Sequence, residues 1–342
     1  MKIDIASHIT PPKFRAALEK KLPPQITEKL PSRFLPTLVD LDTRFRIMDS
    51  YEDMTEVLTL TSPPLEQVAE PQVAVELAQV ANDEMAELVA RYPGRFIGAV
   101  ACLPMNDLDA ALKEADRAIN DLNLKGIQLL CHIAGKPLDS PEFMPLYEKM
   151  VQYDLPIWIH PAHPGSGSRS GQKSPDDGWR VVTGQDDDAA FAALDFQVTG
   201  QTSAAMTRLV YNHVLDRYPK IKFITHHCGS SVPYFANRLE MSYNMFKERR
   251  GAGGDFDKPI LDYFKMFYAD TALHGNVPAM MCGYSFFGAG HLLFGTDMPF
   301  DAELGLWSVR KTIEAIEQMP ITDVEKRQIF EGNARELLHL PA

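Results

Sequence analysis

The fold is decided by the stretch Pro156-Ile157-Trp158-Ile159-His160-Pro161, in which a short apolar run ends on a histidine. Such a run predicts a buried strand, and the proline that follows predicts a turn. Histidine is the commonest metal ligand in proteins and a general base near neutral pH. His160 is therefore a candidate functional residue, although a histidine at a strand end also fits a structural role.

The same pattern recurs at three other places in the chain. Each of these apolar runs ends on histidine or aspartate: Ile3-Asp4-Ile5-Ala6-Ser7-His8, Phe223-Ile224-Thr225-His226-His227 and Leu292-Leu293-Phe294-Gly295-Thr296-Asp297. Since parallel strands end at one common edge, the repetition predicts that these side chains share a site.

Strand and helix patterns alternate along the whole chain. Near-continuous apolar strands between amphipathic helices favour a parallel sheet covered by helices, and eight such units predict a (β/α)8 TIM barrel. An open doubly wound sheet fits less well, because residues 7–12 lack a Gly-rich phosphate turn. Strands are predicted at 3–8, 55–61, 96–103, 126–130, 157–160, 221–226, 266–270 and 292–297, and helices at 66–91, 108–122, 141–153, 203–218, 233–247, 277–286 and 304–317.

Two long connections interrupt this alternation. Residues 9–50, rich in proline and charge, predict an N-terminal insertion with short helices after strand 1. Residues 162–200 form a long loop after strand 5 that includes Gly165-Ser166-Gly167-Ser168-Arg169-Ser170-Gly171. A loop of this length is a lid, a binding loop or a disordered insertion, and its place after His160 favours a lid. We expect residues 1–342 to form a single barrel domain.

Composition narrows the classes of function. The chain has 342 residues, 45% of them hydrophobic, and a formal net charge of −12 without a basic stripe, which argues against nucleic acid and anionic membranes as partners. No apolar run reaches the roughly 20 residues of a membrane span, and an acid at position 4 does not fit a secretory signal, so we expect a cytoplasmic protein. The 4 cysteines lack paired spacing and are expected to be free thiols.

The residues at the strand ends predict a catalytic metal site. His8, His160 and Asp297 supply two imidazoles and a carboxylate from separate strands, which suits one divalent ion with an open coordination position. Side-chain alternation places Asp4, Ala6 and His8 on one face, and allows only one of the His226–His227 pair to face the site. The inward histidine is then available for proton transfer. Alternatively, Asp297 caps a turn and the histidines bond backbone carbonyls.

These residues belong to longer strings that resemble the amidohydrolase superfamily, in the branch that contains aminocarboxymuconate-semialdehyde, γ-resorcylate and 5-carboxyvanillate decarboxylases. The resemblance spans the chain from end to end. Its carrying stretches are Met1-Lys2-Ile3-Asp4-Ile5, Gly126-Ile127-Gln128-Leu129 with His132, Lys136-Pro137-Leu138-Asp139, Leu155-Pro156-Ile157-Trp158-Ile159-His160-Pro161, Leu215-Asp216-Arg217-Tyr218-Pro219, His227-Cys228-Gly229, Pro233-Tyr234-Phe235 and Phe294-Gly295-Thr296-Asp297-Met298-Pro299-Phe300.

The resemblance implies a role for each matched position. His8, His160 and Asp297 match metal ligands, and His227 matches the catalytic histidine that works with Asp297. Arg238 matches an arginine that reaches a substrate carboxylate across a dimer interface, although an arginine on that helix also fits a solvated surface. The remaining substrate-binding candidates are His132 and Phe300.

One position departs from the family pattern. The family usually has histidine, or glutamate in some decarboxylases, where this chain has Ala6, which cannot bind a metal. Either His8, His160 and Asp297 hold the ion alone, or His163 or His132 fills the gap, or metal chemistry has been lost. The first alternative is preferred, because three ligands are sufficient for a catalytic site.

We therefore expect a metal-dependent, non-oxidative decarboxylase that acts on a small aromatic or unsaturated carboxylic acid, with one divalent ion, zinc before manganese, and a homodimeric assembly. A hydrolase or hydratase is the first alternative, in which water adds to a carbonyl or double bond with His227 or Asp297 as base. The second alternative is a catalytically silent ligand-binding relative, which Ala6 motivates.

Overall fold

The computed structural model describes residues 1–60, 63–162, 194–250 and 256–341, and it confirms the predicted (β/α)8 barrel. Eight strand positions pair in parallel around the barrel. The ring closes where Ile5 N donates to Phe294 O at 3.0 Å and Asp297 N donates to Ala6 O at 2.9 Å. The strands are β1 (Lys2–Ile9), β2 (Met54–Leu60), β3 (Phe96–Ala99) continued by β4 (Ala101–Cys102), β5 (Ile127–Leu130), an antiparallel hairpin of β6 (His132–Ile133) and β7 (Lys136–Pro137), β8 (Ile157–His160), β9 (Phe223–Thr225), β10 (Tyr268–Asp270) and β11 (Leu292–Leu293).

The lower half of the barrel interior is filled by apolar side chains. Ile5, Val57, Trp158, Ile224 and Leu293 come from separate strands and pack into one fully buried cluster. Trp158 Nε1 donates to Ile5 O at 3.1 Å, which satisfies the one polar atom of the largest side chain in this cluster. This packing leaves only the upper, carboxyl-terminal end of the barrel for a site.

Helices surround the barrel, and their bounds differ from the predicted ones where proline intervenes. The predicted helix 66–91 is two helices, because Pro71 lacks an amide proton and restricts the residue before it. The helices are Pro12–Lys21, Pro24–Thr27, Leu41–Met48, Leu65–Val68, Pro71–Arg91, Leu108–Asn120, Met144–Tyr153, Leu194–Tyr211, Val214–Arg217, Val232–Arg250, Ile260–Phe264, Val277–Phe287, Leu306–Gln318, Asp323–Arg327 and Asn333–Leu337. Among the described residues, none of these helices is long and apolar enough to cross a membrane.

The predicted loop 162–200 is only partly described. The helix that follows it begins at residue 194, not at 203, so the last residues of the predicted loop are helical. Residues 163–193, which include His163, Trp179 and most of the predicted lid, lie outside the described part of the chain.

The insertion after β1 is tied to the end of that strand by a buried arginine. Arg44 lies on helix Leu41–Met48 and pairs with Glu56 of β2 at 2.7 Å, with both side chains fully buried. Its other guanidinium nitrogens donate to His8 O, at 2.8 Å, and to Ser7 Oγ. The backbone that carries His8 is therefore fixed from outside the barrel by charge-assisted hydrogen bonds.

A bulge in β1 changes which side chains share a face. Asp4 pairs with Glu56, but Ser7 pairs with Leu58, so β1 contains one residue more than β2 over this interval. Asp4 and Ser7 consequently lie on the outward face with Glu56, whereas His8 points into the barrel. The prediction that Asp4 and His8 share one face was wrong, because alternation holds only in a regular strand.

Candidate metal and catalytic site

Three histidines converge at the carboxyl-terminal end of the barrel. His8 lies near the end of β1, His160 ends β8, and His226 follows β9 directly. One nitrogen or more of each ring lies within 4.8 Å of nitrogens of the other two, and all three residues are buried. This arrangement offers nitrogen ligands of the kind that zinc and other first-row divalent metals accept.

Hydrogen bonds assign the protons on two of these rings. His160 Nδ1 lies 2.7 Å from Pro161 O, and a carbonyl only accepts, so Nδ1 carries the proton. Thr59 Oγ1 donates to Ser7 O at 3.2 Å and therefore accepts from His8 Nδ1 at 3.1 Å. Burial lowers the pKa of His8, which favours its neutral form. Both rings consequently present an Nε2 lone pair.

The two Nε2 atoms face each other across 3.3 Å. Two lone pairs cannot form a hydrogen bond with each other, and their close approach in a buried site is unfavourable unless a cation lies between them. The donor set therefore fits a bound metal ion. Hydrogen bonds that orient the opposite ring nitrogen are also typical of metal-binding histidines.

His226 points into this cluster, although alternation predicted that only one histidine of the His226–His227 pair would face the site. Its side chain is fully buried, with Nδ1 3.1 Å from Asp270 Oδ2, although outside hydrogen-bond angles. The other oxygen, Asp270 Oδ1, accepts from Cys228 N at 3.0 Å and from Ala272 N at 3.1 Å. His226 Nε2 has no hydrogen-bond partner among the described residues.

His227 also reaches the site, because it no longer follows the strand. Its φ is +55°, in the left-handed region, so alternation ends after Thr225 and both histidines turn toward the barrel mouth. His227 Nε2 lies 3.6 Å from Asp297 Oδ2. A non-glycine residue in this conformation is strained, and such strain is often found at functional sites.

Asp297 bridges the histidine cluster and His227. Its Oδ1 lies 3.0 Å from His8 Nε2, on the opposite side of the carboxylate from the His227 contact. Burial would raise the pKa of Asp297, but the His227 and His8 imidazoles beside it hold that pKa well below its usual range. The structure thus brings His8, His160, His227 and Asp297 together at the carboxyl-terminal end of the barrel.

The predicted substrate-binding residues are distributed differently. The Phe300 ring lies 5.5 Å from the His8 ring, centroid to centroid, at the mouth of the site. His132 lies in the β6–β7 hairpin, where its Nδ1 accepts from Gly135 N at 3.3 Å. Arg238 is exposed on helix Val232–Arg250, and no contact between it and the histidine cluster is found within the described residues.

An open cleft lies beside His160, and the sequence did not indicate two of the polar residues that line it. Gln128 donates from Nε2 to Leu60 O at 2.9 Å, while its Oε1 has no partner among the described residues. Burial raises the pKa of Glu66 to about 7. The rest of the lining is largely apolar, as in pockets that bind small organic molecules. Glu66 carried no sequence signal, because it occupies an ordinary helical position.

The chain belongs to the amidohydrolase family, since a family model described as Amidohydrolase matches residues 32–340. The chain is 29% identical to the γ-resorcylate decarboxylase of Polaromonas sp. (strain JS666) over 315 residues, 89% of each protein. It is 28% identical to the 2-keto-4-carboxy-3-hexenedioate hydratase of Sphingobium sp. (strain NBRC 103272 / SYK-6), over 83% of this chain and 78% of the hydratase.

Solved structures agree with this assignment. A dihydroxybenzoic acid decarboxylase from Polaromonas sp. JS666, solved with bound manganese and the inhibitor 2-nitroresorcinol, superposes with a TM-score of 0.74 at 26% identity. The match covers 99% of this chain and 96% of that one. The resemblance to the decarboxylase branch of the amidohydrolases, expected from the sequence motifs, is confirmed.

Proposed function

We propose that this protein is a metal-dependent, non-oxidative decarboxylase of a small aromatic or unsaturated carboxylic acid. The main support for the proposal is that the Nε2 lone pairs of His8 and His160 face each other at 3.3 Å, which fits a bound cation. Asp297 and His227 lie beside them. The sequence similarity to γ-resorcylate decarboxylase supports the reaction class.

His8, His160 and Asp297 are the proposed metal ligands. The ion would supply positive charge that orients the substrate carboxylate and an adjacent oxygen. Zinc and manganese both fit nitrogen and oxygen donors of this kind, and manganese has the added support of the Polaromonas structure.

His227 and Asp297 are the proposed proton-handling pair. The low pKa of Asp297 keeps its carboxylate ionised, so its negative charge orients the His227 ring, whose Nε2 lies 3.6 Å away. His227 then delivers a proton to the ring or alkene carbon that loses carbon dioxide. General acid catalysis of this kind typically contributes a factor of ~10²–10⁴ to the rate.

The cleft beside His160 is the proposed site for the substrate body. Its apolar lining suits an aromatic ring or a conjugated chain. The Phe300 ring, 5.5 Å from the His8 ring, adds an aromatic surface near the metal ligands. Gln128 Oε1 provides an acceptor for a substrate hydroxyl group. With a pKa near 7, Glu66 is partly protonated at neutral pH and can donate a hydrogen bond.

A homodimer is proposed from the surface of helix Val232–Arg250. Tyr234, Arg238, Met241 and Met245 are exposed and spaced so that they share one face of this helix. A stripe of exposed apolar side chains around an arginine has the composition of an interface core. In this arrangement, Arg238 would reach toward the partner subunit, where its fork-shaped guanidinium suits a carboxylate.

The reaction is tested by incubating metal-loaded protein with a panel of hydroxybenzoates and muconate-type acids. Release of carbon dioxide, with solvent deuterium incorporated at the carbon that carried the carboxyl group, is the expected result. The His227→Asn variant is the control, because it keeps the metal ligands but loses the proton donor. A metal-loaded wild-type protein that releases no carbon dioxide from any of these acids contradicts the proposal.

A hydratase is the second candidate, favoured by the similarity to the Sphingobium enzyme. In that reaction, His227 or Asp297 would act as the base for water that adds to a double bond. Oxygen-18 from labelled water would then appear in the product while the carboxyl group is retained. The two products differ in mass, so one mass spectrometric experiment separates the two reactions.

A further inference from the structure

We propose that His226 is an additional metal ligand, which compensates in this chain for the strand-one ligand that Ala6 cannot supply. The inference rests on the proposed metal site and extends it to the second histidine of the His226–His227 pair, of which alternation predicted that only one would face the site. It concerns how the ion is held, and it does not depend on which reaction follows.

Ala6 and the His226–Asp270 pair lie in the same corner of the barrel. Ala6 is fully buried in the interior cluster. A Cβ atom placed on Gly295 would lie 3.0 Å from Ala6 Cβ and 2.9 Å from Asp270 Cβ. Ala6 and Asp270 thus both approach the position of that Cβ atom, and Asp270 is the residue that contacts His226.

All three histidines share one pattern of contacts. In each ring, Nδ1 lies against an oxygen: Thr59 Oγ1 for His8, Pro161 O for His160 and Asp270 Oδ2 for His226. Metal-binding histidines are typically oriented in this way by a carboxylate, carbonyl or hydroxyl group on the opposite ring nitrogen. The pattern leaves Nε2 of each ring for a ligand role.

Within the described part of the chain, His226 Nε2 has no hydrogen-bond partner. A fully buried imidazole nitrogen without a hydrogen bond is unfavourable, because it has lost its bonds to water and gained none in return. The His226 ring is centred 4.6 Å from the His160 ring and 6.0 Å from the His8 ring. Coordination of an ion shared with those rings would satisfy the nitrogen.

The competing interpretation is that His226 only positions the loop by contacting Asp270. Two variants separate the interpretations. His226→Asn retains an amide group near the position of Nδ1, facing Asp270, but places nothing at the position of Nε2. His226→Ala removes both. A ligand role predicts that the two variants lose metal affinity equally, whereas a positioning role predicts that the asparagine preserves it.

The experiment measures zinc and manganese affinity by chelator competition and calorimetry, together with zinc X-ray absorption spectra. We expect both His226 variants to bind metal at least ~100-fold more weakly than wild type, beyond the 10–100-fold typical of lost supporting contacts. Wild-type spectra should fit three imidazole ligands, and the asparagine variant should fit two.

His213→Asn is the matched control. His213 also pairs with an aspartate, Asp216, at 3.3 Å, but it stacks on Phe256 in the outer helical layer. Its substitution should leave metal affinity unchanged. If His226→Asn binds metal as tightly as wild type, with the same imidazole number, the inference is overturned and the proposed function stands. If wild type binds no metal, the proposed function fails as well. Wild-type spectra with only two imidazoles overturn the inference even if the variants do not fold.

Discussion

His8 Nε2 and His160 Nε2 lie 3.3 Å apart, with the opposite nitrogen of each ring hydrogen-bonded to an oxygen. The oxygens that hold the two rings come from different elements: Thr59 lies on β2, and Pro161 follows β8. Arg44 adds a hydrogen bond to the His8 carbonyl from the insertion. The orientation of the proposed metal ligands is therefore fixed by residues that do not themselves bind the metal. Mutation of these residues tests the site without removing a ligand.

Removal of the Thr59 hydroxyl should weaken metal binding without disturbing the barrel. Thr59→Val keeps the side-chain shape, but His8 Nδ1 loses its acceptor and the ring loses its preferred orientation. We expect metal affinity to fall ~10–100-fold, measured by calorimetric titration with manganese. Thr225→Val is the matched control, because this buried hydroxyl donates to Tyr268 O at 3.3 Å and makes no described contact with His8. Equal losses in both variants would contradict the role of Thr59.

His227→Asn should separate proton transfer from metal binding. Its Nε2 contacts Asp297 Oδ2, whereas the His8 contact is made by Asp297 Oδ1. The variant should therefore retain one equivalent of metal by inductively coupled plasma mass spectrometry, while kcat falls ~10²–10⁴-fold. His160→Ala should instead lose the metal itself. A His227→Asn protein that contains no metal would show that His227 belongs to the ligand set.

Asp4 should make the folded protein less stable as the pH rises. Burial raises the pKa of Asp4 to about 7, against the opposing hydrogen bond from Thr296. An unfolded aspartate has a pKa near 3.9, so between pH ~4 and ~7 the folded state binds more protons and the free energy of unfolding falls with pH. The contribution is at most ~1.4 kcal/mol per pH unit.

The effect of Asp4 is isolated by comparing urea denaturation of wild type and Asp4→Asn across this pH range. Asparagine keeps an oxygen for the Ala6 and Thr296 amide protons but cannot ionise. The stability difference should shift in favour of the variant as the pH rises from 4 to 7. Asp40→Asn, at an exposed helix N-terminus, should not produce this shift. A pH-independent difference for Asp4→Asn would contradict the raised pKa.

The strand ends could be predicted from the sequence, because a buried strand appears as an apolar run that ends at a polar residue and is followed by a turn. His8, His160 and Asp297 each follow an apolar run, and the structure brings them together. The directions of His226 and His227 could not be predicted in this way. Alternation assumes a regular strand, and the chain leaves strand geometry at His227, where φ is +55°.

Other parts of the site depend on contacts between distant segments. The bulge between Asp4 and Ser7 depends on pairing with β2 and on the contact between Asp4 and Thr296. Neither can be predicted from the sequence around Asp4, because both involve distant segments. Glu66 is notable only because burial beside the cleft raises its pKa. Such features follow from how the chain folds back on itself, so local spacing cannot predict them.

The exposed face of helix Val232–Arg250 should hold two subunits together. A charge at its centre, in Met241→Glu, would have to be buried without a partner in the dimer, which is unfavourable by several kcal/mol. We expect this variant to sediment as a monomer in analytical ultracentrifugation. The Arg238→Met variant should remain a dimer, and its KM should rise by a larger factor than its kcat falls. Val324→Glu is the control, since Val324 is 64% exposed on a different helix. If Met241→Glu and wild type share one sedimentation coefficient, the dimer does not use this face, and Arg238 cannot reach a partner's substrate from it.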